Sequence, residues 1–235
     1  MKLQMLTPHV YYTEHDSTTD RPCLGYVKGE RFALMLDAGN SASHVKQFYQ
    51  AVQAQGFALP TFCAITHSHW DHTFGMAATG IACIASIQTQ QKLEQMATWN
   101  WTETDMQHRL QTGEESQFCD THIRLEYPDR TKIQVKPADI VFENRLCLDL
   151  GGIWAEIFHV ISPHTEDSVV ILVDDVLFLG DSYCSVPVGD DWIYDKTLLR
   201  VYIQAIKNID FTLCIKGHHP PQTKTALLQE LEAAL

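Results

Sequence analysis

The six residues from His67 to His72 constrain this chain more than any other segment. They read HSHWDH, so three imidazoles and one carboxylate directly follow the apolar stretch 62–66. Packing alone does not favour so many ionisable groups at a strand end, and imidazole nitrogen with carboxylate oxygen is a ligand set of zinc, iron and manganese. Residues two apart in an extended backbone point to one side. His67 and His69 can therefore bind one metal ion and leave Asp71 and His72 for a second.

Three later segments extend this observation into a family resemblance. HSHWDH is similar to the HxHxDH signature of the metallo-β-lactamase superfamily. Segment 162–168 (SPHTEDS) resembles the PGHTxGS motif, 177–181 (LFLGD) resembles LFxGD, and 216–218 (KGH) resembles the closing GH pair. The resemblance implies an α/β fold, the four-layer αβ/βα sandwich with two mixed β-sheets flanked by helices.

The resemblance also implies the metal ligands. The first metal site takes His67, His69 and His164, the second takes Asp71, His72 and His218, and Asp181 bridges the two. Two divalent metal ions are the implied cofactors, zinc first, with iron or manganese as alternatives. His218 is preferred to His219 because Gly217 precedes it. The remaining histidines have no such context and are interpreted as solvated or core residues: His9, His15, His44, His108, His122 and His159.

The implied reaction is hydrolysis by a hydroxide that bridges the two metals, since paired cations lower the pKa of bound water towards neutrality. Asp71 is the expected catalytic residue, because its carboxylate can orient the hydroxide and relay a proton in addition to binding metal. Thr66 and Thr165 adjoin ligands in the sequence. We expect their hydroxyls to form hydrogen bonds that orient ligand side chains.

Composition limits the compartment and the partners. The chain has 235 residues and is expected to form a single domain, 1–235. Its formal net charge of −12 argues against a nucleic-acid surface, which needs clustered lysine and arginine. No apolar run is long enough to span a membrane, and residues 1–8 do not resemble a signal peptide. Seven scattered cysteines without a CxxC pair suit reduced thiols. We expect a cytoplasmic protein with a small-molecule substrate and a possible homodimer.

Apolar spacing predicts the elements around the motifs. A helix is predicted from Ser41 or Ser43 to Gly56, and a strand at 61–66 delivers HSHWDH at its carboxyl end. A helical insert over about 88–130 is predicted to lie near the metal cleft, with Trp99 and Trp101 either lining the cleft or anchoring the insert. Further strands are predicted at 10–12, 23–27, 32–37, 81–85, 133–135, 139–142, 153–161, 168–173, 176–179 and 212–215, with a helix at 196–208.

Three residues depart from the family pattern. Phe74, Ser162 and Asp167 stand where the family usually has glycine. These changes alter the loops around the ligands but leave all seven ligands in place. The sequence therefore predicts metal binding more directly than it predicts a substrate.

The predicted function is cleavage of a small ester, thioester or lactone by a dinuclear metal-dependent hydrolase. Tyr183, Trp192 and Tyr194 follow the bridging aspartate and either line a pocket for the acyl group or lactone ring, or pack in the core. Three alternatives stay open: a phosphodiesterase for a small phosphodiester, iron-dependent persulfide or oxygen chemistry, and a non-catalytic metal-binding protein.

Overall fold

The computed structural model describes residues 1–188 and 191–235. Its first sheet has seven strands that follow one another in chain order: β1 (Leu3–Met5), β2 (Val10–Thr13), β3 (Gly25–Lys28), β4 (Ala33–Leu36), β5 (Phe62–Ala64), β6 (Ala82–Ser86) and β7 (Ile140–Phe142). Strands β1 to β4 pair antiparallel, whereas β4 to β7 pair parallel. The sheet is therefore mixed, and β5 is the predicted strand that precedes HSHWDH.

The second sheet is also mixed. The remaining strands are β8 (Arg145–Asp149), β9 (Trp154–His159), β10 (Val169–Val173), β11 (Val176–Gly180), β12 (Val186–Val188), β13 (Asp191–Ile193), β14 (Leu213–Lys216) and β15 (Gln222–Thr223). Six of them form this sheet in the order β15-β14-β11-β10-β9-β8, while β12 and β13 form a separate hairpin. Only the β11–β14 pair of the six-stranded sheet is parallel.

Helices cover the outer face of each sheet. They are α1 (Ala42–Ala54), α2 (Trp70–Thr73), α3 (Met76–Thr79), α4 (Ile87–Met96), α5 (Glu103–Thr112), α6 (Gln117–Glu126), α7 (Lys196–Asn208) and α8 (Lys224–Ala233). Helices α1 and α4 pack on the first sheet and α7 and α8 on the second. No helix within the described ranges is long and apolar enough to cross a membrane. The predicted four-layer αβ/βα sandwich is confirmed.

The largest apolar core lies between the two sheets. Leu34 and Ile84 of the first sheet pack in one cluster with Ile157, Ile171 and Phe178 of the second. Alternation along each strand sends the other side chains to the helical layers. In α1, Val45, Phe48 and Val52 are buried at helical spacing and Ser41 caps the first turn by accepting from His44 N. This prediction from the sequence is confirmed.

The functional loops collect at one edge of the sandwich. Strands β4 and β5 are parallel neighbours in one sheet, and β11 and β14 are parallel neighbours in the other. The carboxyl ends of parallel strands meet at one edge of a sheet. The loops that follow these four strands carry the segments 37–40, 65–72, 181–185 and 217–219.

The strand predicted at 133–135 is wrong. Ile133 follows a short 3₁₀ turn, Arg130–Lys132, and is buried against Trp70 and Phe74. The place beside β6 is taken by β7, which ends the sheet, and the segment packs Ile133 into the aromatic cluster instead of pairing along the outer edge of β7. Strands β1 and β8 were not predicted, because each lies at a sheet edge and buries few of its side chains.

Phe74 joins the helices between β6 and β7 to the rest of the molecule. Its ring is 3% exposed, with ring-centroid distances of 6.1 Å to Trp70, 5.1 Å to Trp101 and 6.4 Å to Tyr127. Edge-to-face contacts of this kind add to the stabilisation from burial. The aromatic residue that replaces the usual glycine thus anchors the segment that contains α4, α5 and α6.

We expect Phe74→Ala to lower the free energy of unfolding by about 3–5 kcal/mol, because it leaves a cavity among three aromatic rings. Phe32→Ala is the control, since Phe32 is 37% exposed and its loss should cost about 1 kcal/mol. Urea unfolding of both variants, after treatment with a chelator, measures the difference. Equal losses would show that Phe74 does not anchor the segment.

Candidate metal centre

The seven predicted ligands lie together at the edge of the sandwich. Their ligand atoms form two groups, each with members within 4.8 Å of one another: His67, His69 and His164, and Asp71, His72, Asp181 and His218. Asp181 Oδ2 is 3.4 Å from His72 Nε2, 3.3 Å from His218 Nε2 and 4.0 Å from His164 Nε2. The aspartate predicted to bridge two metals therefore lies between the groups.

Buried atoms without partners point to a bound cation. His67 Nε2 and Asp181 Oδ1 are buried and have no hydrogen-bond partner among the described residues. Buried polar atoms in folded proteins nearly always have a partner, and a divalent ion supplies one to an imidazole lone pair or a carboxylate oxygen. The donor set thus fits two metal ions.

The two groups differ in their electrostatics. Burial and the neighbouring imidazoles lower the pKa of His67 well below its usual range and the pKa of His69 to about 4. Both rings are therefore neutral near pH 7, as metal binding requires. Burial also opposes charge on His72 and His218, but the carboxylates of Asp71 and Asp181 outweigh it and raise both pKa values well above the usual range.

Asp37 orients ligands of both groups, although it was not predicted as a site residue. Its carboxylate is fully buried at the end of β4. It accepts hydrogen bonds from Thr66 N at 2.7 Å, from Thr66 Oγ1 at 2.9 Å and from His72 Nδ1 at 2.7 Å. Thr66 Oγ1 is in turn 3.0 Å from His67 Nδ1. Because these bonds engage both Nδ1 atoms, the Nε2 lone pairs of His67 and His72 face the centre.

Two glycines allow the last ligands to approach. A side chain at Gly217 would overlap Asp181 Oδ1, so only glycine fits directly before His218. Gly180 has a φ of 51°, and a side chain there would overlap Thr66 Oγ1. The register of β11 and β14 also shifts between Phe178 and Gly180. Steric contacts therefore favour glycine directly before His218 and directly before Asp181.

Asp167 is a buried anion that ties the ligand loops to α4. It accepts from Ser68 N at 2.8 Å, Thr89 Oγ1 at 3.1 Å, Thr165 Oγ1 at 2.6 Å and Lys92 Nζ at 2.8 Å. Burial alone raises its pKa, but nearby positive charge, including that of Lys92, and the hydrogen bonds hold the pKa well below its usual range. The Thr165 hydroxyl thus bonds to Asp167 and Lys92 and orients no ligand, contrary to prediction, whereas Thr66 does so as predicted.

Five of the seven predicted ligands form the floor of a cleft of about 750 Å³: His69, Asp71, His164, Asp181 and His218. Trp99, Tyr183, Trp192 and Tyr194 line this cleft, so the pocket interpretation of these residues is supported. Trp101 packs against Phe74 and against the guanidinium of Arg109, 4.7 Å from its ring centroid, and serves as an anchor. His159 faces away, because its Nε2 contacts the carbonyl of Glu166 at 2.8 Å.

Comparison with known families decides the assignment. The family model described as "Metallo-beta-lactamase superfamily" matches residues 21–223. The chain belongs to this superfamily. Membership and the grouped His and Asp side chains support a metal-dependent hydrolase. No curated protein sequence matches the chain significantly.

Solved structures share the metallo-β-lactamase fold at low sequence identity. A metallo-beta-lactamase from Pontibacter korlensis has a TM-score of 0.65 and 16% identity, with 98% of this chain and 97% of that chain covered. The Rm3 metallo-beta-lactamase has a TM-score of 0.68 and 12% identity, covering 100% and 92%. The stereoselective inverting sec-alkylsulfatase Pisa1 from Pseudomonas sp. has a TM-score of 0.71 and 14% identity, covering 98% of this chain and 40% of that chain. At such identities the likeness extends to the fold alone.

We expect Asp37→Asn to weaken metal binding by about 10- to 100-fold, because the amide loses the charge and one of the acceptors that orient Thr66 and His72. Asp174→Asn is the matched control. Asp174 also has a positive φ, 50° against 59° for Asp37, but lies in the turn between β10 and β11. Competition with a chromogenic chelator gives both dissociation constants, and indistinguishable values would remove Asp37 from the metal centre.

Proposed function

We propose that this protein is a dinuclear zinc hydrolase that cleaves a small ester, thioester or lactone. The observation that carries the proposal is the pair of ligand groups that share Asp181 at the floor of a cleft with aromatic walls. One group offers three imidazole nitrogens, while the other mixes imidazole and carboxylate, and both are donor types that zinc accepts.

The chain contributes ligands, orientation and a proton acceptor. His67, His69 and His164 hold one ion, Asp71, His72 and His218 hold the other, and Asp181 lies between them. Two bound cations supply a hydroxide nucleophile at neutral pH and polarise the carbonyl of the substrate. A contact between His164 Nδ1 and the Ser185 carbonyl, 3.4 Å apart, orients the His164 ring. This contact leaves Nε2 facing His69 Nδ1 at 3.0 Å.

Asp71 is the side chain best placed to accept a proton. Burial alone raises its pKa, but the facing His72 and His218 imidazoles hold the pKa well below its usual range. Its Oδ2 lies 3.0 Å from His218 Nε2 and 3.0 Å from His72 Nε2. The carboxylate is therefore ionised and oriented, and it lines the cleft where a substrate carbonyl would lie.

Asp71→Ala should lower kcat/KM by at least about a hundredfold, because it removes both a ligand and the proton acceptor. The zinc-loaded enzyme is assayed on a panel of thioesters, lactones, β-lactams and phosphodiesters, with metal content measured beside activity. Asp210→Ala is the control, since Asp210 is an exposed aspartate between α7 and β14 that does not line the cleft. Unchanged turnover with two metals still bound to the Asp71 variant would contradict the mechanism.

The metal stoichiometry should distinguish His218 from its neighbour. Elemental analysis is expected to find two metal ions per chain in the wild type, one in His218→Ala and two in His219→Ala, because only His218 faces Asp71 and Asp181. One ion in the wild type, or loss of metal from the His219 variant alone, would overturn the assignment of the second site.

A further inference from the structure

The walls of the cleft contain no positive charge from lysine or arginine. Of the described residues that line it, none is a lysine or an arginine. The two residues outside the described ranges, Gly189 and Asp190, are not basic either. The imidazoles of His15, His122 and His219 also line the cleft, so an anionic group on a substrate would find no permanently charged cation among the described side chains of these walls.

Carboxylates line the same walls. Asp20, Glu114 and Glu115 all face the cleft. Within the described ranges none of the three forms an ion pair with lysine or arginine; Asp20 lies 3.5 Å from His218 Nδ1. Glu114 accepts from Thr112 Oγ1, and Glu115 accepts from Ser116 N, both bonds within their own segment. The carboxyl groups of Glu114 and Glu115 thus face the cleft without a basic partner among the described residues, whereas Asp20 faces His218.

The lysine and arginine side chains described near the cleft contact other groups. Lys92 Nζ is 2.8 Å from Asp167 Oδ1, and Lys216 Nζ is 2.9 Å from both carboxylate oxygens of Glu230. The guanidinium of Arg109 is stacked behind the wall between Trp99 and Trp101, 4.7 Å from each ring centroid. None of these side chains is placed to bind an anionic substrate.

The rest of the wall is aromatic and aliphatic. Phe118 of α6 meets Trp192 of β13 edge to face, at 5.3 Å between centroids. Trp99, Val186 and Tyr194 also line the cleft. These side chains favour an apolar acyl group, since transfer of such a group from water to this surface is favourable.

We propose that the cleft selects substrates whose acyl portion is uncharged and apolar, and rejects substrates that carry a carboxylate, phosphate or sulfate there. The inference rests on the proposed hydrolase function and narrows its substrate class. An anion at the wall would lose its hydration and lie beside Glu114 and Glu115 with no counter-charge, which is unfavourable on both counts. Esters of dicarboxylic acids are then poor substrates, whereas neutral esters and lactones are good ones.

A matched pair of esters tests this selection. The zinc-loaded full chain is given p-nitrophenyl butyrate and mono-p-nitrophenyl succinate, which differ mainly in a terminal carboxylate. The assay runs at about pH 8, where unperturbed imidazoles are neutral. We expect kcat/KM for the butyrate to exceed that for the succinate by at least about tenfold, with the ratio falling as salt screens the wall. An equal or inverted ratio would overturn the proposal.

Reversing one charge at the wall tests whether the wall carboxylates cause the selection. Glu114→Lys should lower the butyrate-to-succinate ratio by at least about threefold, because it places a cation at the wall. Glu94→Lys makes the same change of charge on α4, at an exposed residue outside the cleft, and should leave the ratio unaltered. Equal effects of the two variants would attribute the selection to the net charge of the protein and overturn the role of the wall.

A binding measurement separates this inference from the proposed activity. Butyranilide and succinanilic acid are the corresponding anilides, and quenching of tryptophan fluorescence reports their binding near Trp99 and Trp192. Tighter binding of the neutral anilide would support the selection even if no ester were hydrolysed, in which case only the proposed hydrolase function would fail. Tighter binding of the acid, or binding of neither, would overturn the selection.

Discussion

The metal centre depends on one buried carboxylate that is not itself among the seven ligands. Asp37 receives three hydrogen bonds, two from Thr66 and one from His72, and so joins the end of β4 to the end of β5 and to α2. Through Thr66 it also fixes the ring of His67. A single anion thus orients one imidazole in each ligand group. Asp37 also has a positive φ, so the chain turns away from the sheet at this residue.

The floor and the walls of the cleft differ in their electrostatic properties. The floor concentrates imidazoles and carboxylates, and divalent ions held there would polarise the carbonyl of a substrate. The walls offer aromatic surface and uncompensated carboxylates, while Lys92 and Lys216 are held in ion pairs. In the proposed hydrolase, the reaction would take place at the floor, and the walls would discriminate between substrates by charge and polarity.

The ligands could be predicted from the sequence because their spacing and residue types are local properties. The ends of β5 and β11 could be predicted for the same reason, since apolar runs stop where the ligands begin. Asp37 and Lys92 could not, because their roles depend on which strands and helices become neighbours. The strand predicted at 133–135 is wrong for a similar reason: its apolar alternation does not show whether the segment packs along a strand or, as Ile133 does, against side chains such as Trp70 and Phe74. The charge of the cleft could not be predicted either, because it depends on which distant segments of the chain meet there.

The bond network of Asp167 has a consequence for the dimensions of the substrate. It attaches α4, through Lys92 and Thr89, to the backbone of Ser68 between two ligands. Trp99 follows α4 within three residues of Met96, its last residue. The contact between Lys92 and the buried Asp167 therefore helps to fix the distance from the floor of the cleft to its aromatic wall. In the proposed hydrolase, this distance would set the length of acyl chain that reaches from the floor to Trp99.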